Sequence, residues 1–136
     1  MDLDRFVLAQ DAHQTYRQAL SELRQGNKTS HWMWFVFPQI AGLGRSGMAQ
    51  AYAIADLAEA QAYLAHPVLG PRLIECAEIV AGHTGRSAEQ IFGGIDAMKL
   101  RSSMTLFAAA GPDQPVFGQV IDQFFDGPDP ETLSRI

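Results

Sequence analysis

The sequence has one cysteine, Cys76, so no intramolecular disulfide can form and a secreted scaffold stapled by bridges is excluded. It has no surplus of basic residues: 10 Lys and Arg stand against 15 Asp and Glu, a formal charge of -5. A nucleic-acid partner, which calls for a basic face, is therefore not expected. No apolar run approaches the roughly 18 residues of a membrane span, so no membrane partner is expected either. The first residues, MDLDRFVLAQDAH, carry acids where a signal peptide carries basic groups, and a cytoplasmic protein is the expectation. The four histidines, His13, His31, His66 and His83, match no zinc-ligand spacing with each other or with Cys76. Neither a metal nor a cofactor is expected.

Signals for helices are abundant. With 47% hydrophobic and 18% charged residues in 136, the chain can bury one core. In DLDRFVLAQDAHQTYRQALSELRQG the apolar positions Leu3, Phe6, Val7, Tyr16, Ala19, Leu20 and Leu23 keep helical spacing, with the polar stretch QDAHQT as an interruption and Gly26 as a left-handed stop. Ser46 opens a helix, Asp56 and Glu59 are spaced as a capping box, Pro67 closes that helix, and another follows it. Ser87 and Gln90 repeat the box. IDAMKLRSSMTLFAAAG reads as about four turns ending at Gly111, and a helix from Pro115 to Phe125 follows. Asp129 then caps a last helix with Pro130 at its first position. Cys76 shares a helical face with Leu73, Ala77 and Val80, which reads as a buried structural thiol. The expectation is an all-α single domain over residues 1–136, an orthogonal-type array of about six to eight helices.

One segment is ambiguous. HWMWFVF, residues 31–37, is rich in strand-favouring side chains, but nothing else in the chain alternates apolar and polar residues to pair with a strand. It is read as a buried two-turn helix from His31 to about Phe37, capped by Ser30 and ended by Pro38. Its aromatics fit core filling; Trp32 and Trp34 also fit an apolar wall for a base or sugar. His31 and Gln39 flank the run with hydrogen-bonding heads, and a histidine there suits proton transfer near neutral pH.

GLGRSG, residues 42–47, matches the G-x-G-x-x-G pattern, but a dinucleotide fold needs strands that the following residues do not supply. Two readings remain: a tight interhelical turn, or an anion site formed by the amides near Gly44 and Ser46 with Arg45. On the helix beginning near Asp96, a rotation of ~100° per residue puts Asp96, Lys99 and Ser103 on one face with Phe107. Such groups need partners if buried, and Ser102 and Ser103 between apolar neighbours are the least explained by a solvated surface.

DLDRFVLAQ, ALSELRQGNKTSHWMWFVFPQIAGLGRS, YAIADLAEAQAYLAHPVLGPRL, IFGGIDAMKLRSSMTLF and FDGPDPETL are similar to a bacterial family called domain of unknown function 1810, sometimes labelled calpastatin. The resemblance implies an all-α fold and brings no catalytic residues with it. Shorter stretches, LAHPVLGPRL and FGGID, resemble the NADAR proteins, which implies a nucleotide or ADP-ribose-related ligand.

The functional expectation is a small-molecule pocket between HWMWFVFPQIAGLGRS and IDAMKLRSSM for a phosphorylated or nucleotide-like ligand. Its binding residues would be Trp32, Trp34, Gln39, Gly44, Arg45, Ser46, Ser102 and Ser103. In an enzyme, Asp96 would act as base or oxocarbenium stabiliser, His31 as proton carrier and Lys99 as charge partner. The alternative is a non-enzymatic protein-interaction module, monomeric or homodimeric, whose aromatic run or last helix docks a partner.

Overall fold

Start and stop signals become helix ends. In the computed structural model, which describes residues 2–136, the helices are α1 (Asp4–Asp11), α2 (Thr15–Gln25), α3 (Met33–Val36), α4 (Gly47–Ala51), α5 (Leu57–Ala65), α6 (Leu69–Ala81), α7 (Ala88–Phe92), α8 (Gly94–Ala110), α9 (Pro115–Phe124) and α10 (Pro130–Leu133). Ser46, Asp56 and Asp129 cap α4, α5 and α10 through their side chains, and Ser87 with Gln90 forms a complete reciprocal capping box on α7. Gly26 ends α2 at φ 71°, a conformation that costs a residue with a Cβ. The polar stretch between α1 and α2 does interrupt: Ala12–Gln14 forms a 3-10 turn with His13 and Gln14 left-handed. No strand occurs among the described residues, only an isolated parallel bridge between Ile40 and Ile54.

α8 is the central element. It packs against α5, α7, α9 and α10, while α6 packs on α2, α5 and α9, and α1 rests on α2 and α3. From Ser102 to Phe107 every residue of α8 is buried, as in a helix surrounded on all sides. A string of aromatic contacts, Phe6 to Tyr63, Tyr63 to Phe107 and Phe107 to Phe117, runs through α1, α5, α8 and α9 at centroid distances of 5.2, 5.2 and 6.0 Å. Cys76 is buried, and that burial pushes its thiol up to about 12, the property of an inert core sulfur.

The segment read as a two-turn helix is different. Ser30 does not cap it: its amide and hydroxyl both donate to the carboxylate of Glu22, at 2.9 and 2.5 Å. The helical part is one turn, Met33–Val36, preceded by Trp32 without a side-chain cap. Glu22, on the last turns of α2 and only 3% exposed, also accepts from the Thr29 amide at 2.8 Å, the Trp32 indole N–H at 3.0 Å and the Gln18 amide group at 2.8 Å. A buried carboxylate is costly unless its lone pairs are filled, and here they are. Burial acts to raise the Glu22 pKa, but hydrogen bonds from Ser30, Gln18 and the amides of Thr29 and Ser30 outweigh it and hold the group at about 2. Residues 29–32 are thereby wrapped around one acidic side chain.

A second polar fastening joins the C-terminal segment to α8. Arg101 donates to the Gly127 and Pro128 carbonyls at 2.8 and 3.1 Å, Ser102 donates to Asp129 at 2.8 Å, and the Asp129 amide donates to the Thr105 hydroxyl at 2.9 Å. Burial acts to raise the Asp129 pKa; hydrogen bonds from Thr132, Ser102 and the amides of Glu131 and Thr132 win and lower it. Ser102 is thus accounted for as a structural donor. Ser103, fully buried, has no hydrogen-bond partner for its hydroxyl among the described residues.

The folded pKa of Glu22 lies below its ordinary value of 4.5, so its stabilisation is present above pH ~4.5 and is lost as pH falls toward 2, about 3 kcal/mol in all. Urea unfolding should show Glu22→Gln less stable than the parent by about that amount at pH 7, with the gap closing as pH falls through 2; a gap independent of pH would exclude the charge as its source. Ser103→Ala removes a hydroxyl with no partner and should leave stability unchanged or raise it by about 1 kcal/mol, whereas a loss above 1 kcal/mol would reveal a partner for that oxygen.

Candidate functional site

Asp96 lies in the first turn of α8, where a carboxylate is favoured by the helix dipole, and it stands between two lysines. Lys28 Nζ is 2.8 Å from one carboxylate oxygen and Lys99 Nζ is 3.5 Å from the other. Lys28 comes from the loop wrapped around Glu22; its own amide donates to the Ile91 carbonyl at 2.8 Å, which anchors it beside α7. Its ammonium also donates to the Ser30 carbonyl and sits 4.9 Å from the Trp32 ring centroid. Lys99 lies 5.5 Å from the Trp34 ring centroid. Two ammoniums share one carboxylate on a pair of indoles, so the cluster keeps one positive charge.

Beside this cluster is a groove of about 320 Å³. One wall is the loop after α3, with Gln39, Leu43 and Gly44; the other is α8, with Ile95, Met98, Lys99, Arg101 and Ser102; Asp129 and Glu131 close one end. Ile95 and Met98 are 75% and 72% exposed, large apolar side chains in the first two turns of a helix whose middle, Ser102 to Phe107, is buried. The groove volume is at the lower end of the ~300–1,000 Å³ of ligand sites. Gln39 and Gly44 also line a smaller hollow of about 160 Å³, walled by Trp34 and Tyr52 over Ile40. Gln39 is held in place through its backbone, because its carbonyl accepts from the Ile54 amide at 2.9 Å in the isolated bridge.

The residues selected from sequence divide into groups. Gln39, Gly44, Lys99 and Ser102 meet at the groove, Asp96 flanks it through Lys99, and Trp34, half-buried, lines the adjoining hollow. Trp32 is fully buried with its indole N–H on Glu22. Ser103 is sealed inside α8. His31 and Arg45 are exposed and line neither hollow. Ser46 accepts from the Ala49 amide at 3.1 Å as the cap of α4. In the glycine-rich stretch, Gly42 adopts φ 99°, and a Cβ on Gly44 would fall 2.4 Å from the Ala49 side chain, so turn conformation and close packing account for both. No group of three or more His, Cys, Asp or Glu is placed to hold a metal among the described residues.

Sequence reasoning missed Lys28, Leu43, Ile95 and Met98, and saw Asp129 only as a helix cap. Lys28 follows the Gly26 stop in a short polar loop, and its distance of 68 positions from Asp96 carries no periodic mark. The two apolar groove residues of α8 could have been found only by knowing which side of an apolar-all-round helix is left uncovered.

Comparison with known proteins agrees with the fold and adds no activity. No curated protein matches the chain. The crystal structure of a conserved hypothetical protein from Mycobacterium tuberculosis is similar to it with a TM-score of 0.94 and 51% sequence identity, covering 98% of this chain and 94% of that one. The model of the family described as protein of unknown function (DUF1810) matches residues 1–136. The chain belongs to the DUF1810 family.

Proposed function

We propose that the protein binds a small organic anion, phosphorylated or nucleotide-like, in the groove between the loop after α3 and the start of α8. The observation that carries this reading is the single positive charge left by Lys28, Asp96 and Lys99 next to the apolar surface of Leu43, Ile95 and Met98. Lys99 is the counter-charge for the anion, the apolar side chains hold the body of the ligand, and the Gln39 amide offers both a donor and an acceptor. Binding, not turnover, is what these groups favour. Both oxygens of Asp96 face ammonium groups, and His31 is outside the groove lining.

The exposure of Ile95 and Met98 also favours a second reading, a non-enzymatic interaction module whose partner covers that apolar face. Calorimetric titration with nucleoside monophosphates, cyclic nucleotides, ADP-ribose, sugar phosphates and an aryl sulfonate separates the two. The first reading expects at least one ligand to bind, with affinity reduced about ten-fold or more by Lys99→Gln, the loss of one charge-assisted contact, while helical circular dichroism is unchanged. Silence across the panel, together with a dimer in light scattering, would favour the interaction module; binding unaffected by Lys99→Gln would remove the groove as the site.

A further inference from the structure

We infer that Lys28 is the positioning residue of this groove: buried and out of ligand reach, it occupies Asp96 and so keeps Lys99 free to hold a monoanionic head group on an apolar ligand. The inference rests on the groove being the anion site. Its basis is the asymmetry of the two lysines. Lys28 is nearer to Asp96, 2.8 Å against 3.5 Å, and its side chain is 6% exposed against 26% for Lys99. Attraction strengthens as distance and local polarity fall, so the carboxylate is bound chiefly to Lys28. The other directions around the Lys28 ammonium are taken by the Ser30 carbonyl and the Trp32 ring, and Lys28 is absent from the groove lining. Lys99 lines the groove and has only the long Asp96 contact and the Trp34 face as partners among the described residues.

Without Lys28, Asp96 would turn its whole charge on Lys99 and the cluster would be neutral. The other end of the groove sets the ligand class. There Asp129 and Glu131 stand beside Arg101, so the two cations of the lining, Lys99 and Arg101, are balanced by two carboxylates and a polyanion gains no net attraction. An apolar body with one anionic group, a carboxylate, sulfonate or phosphodiester, fits this arrangement better than a polyphosphate.

The probe is 1-anilinonaphthalene-8-sulfonate, an aromatic body with one sulfonate, titrated by fluorescence against the parent protein and its variants, with thermal melting as the check on folding. Lys28→Met should weaken binding about five- to ten-fold although Lys28 touches no ligand, and Lys28→Met with Asp96→Asn should restore it to within about two-fold. Asp96→Asn alone, which leaves both ammoniums, should tighten binding, and this carries the test if Lys28→Met does not fold. Loss of binding with Lys99→Gln but not with Lys28→Met overturns the role of Lys28 and spares the groove. A folded double variant that fails to recover, or an Asp96→Asn variant that binds no tighter, overturns it as well. A parent protein that binds no probe, or binds it equally well after Lys99→Gln, overturns the groove reading and this inference together.

Discussion

The carboxylate of Glu22 is the constraint on which the first half of the molecule depends. It takes hydrogen bonds from two backbone amides, a hydroxyl, an indole and a side-chain amide, all but the last from residues 29–32. Each side needs the other. A carboxylate this far from water would be strongly unfavourable alone, and the amides of Thr29 and Ser30 would lose their acceptors without it. The result is a loop with no secondary structure of its own that is nonetheless closely determined, and its geometry places Trp32 in the core and Lys28 against Asp96.

Asp129 plays the corresponding part for the C-terminal segment. It caps α10, receives Ser102 and Thr132 through their hydroxyls, and fastens the last turn of chain to the central helix. Both acids remain charged for the same reason, hydrogen bonds to the ionised form that exceed the cost of burial. The C-terminal end of the groove is therefore fastened to α8 by directional polar contacts from Arg101, Ser102 and Thr105. Asp96 is the third member of this set, and the one whose partners are ammoniums rather than hydroxyls and amides.

Much of the architecture is legible in the sequence because helix ends are local events. Ser87 with Gln90, Gly26, and Asp129 with Pro130 act within four residues, and their patterns translate directly into caps. Ser30 shows where local reading fails. A serine before an apolar run looks like a cap, but a carboxylate eight residues earlier takes its amide and hydroxyl, so the helix starts later and is shorter. At the site, helical periodicity puts Asp96 and Lys99 side by side correctly, and the same rule applied to Ser103 puts it on that face, where the structure seals it against neighbouring helices. Lys28 has no periodic relation to anything it touches, and only the folded loop reveals it.

The two tryptophans, a single residue apart, have opposite surroundings: Trp32 is enclosed with its N–H on a carboxylate, and Trp34 is partly open to water near an ammonium. The chain thus contains two optical labels in one short segment. The enclosed indole should report on the integrity of the Glu22 loop and the open one on what enters or leaves the hollow it lines, so replacing either tryptophan by phenylalanine leaves a label for the other event.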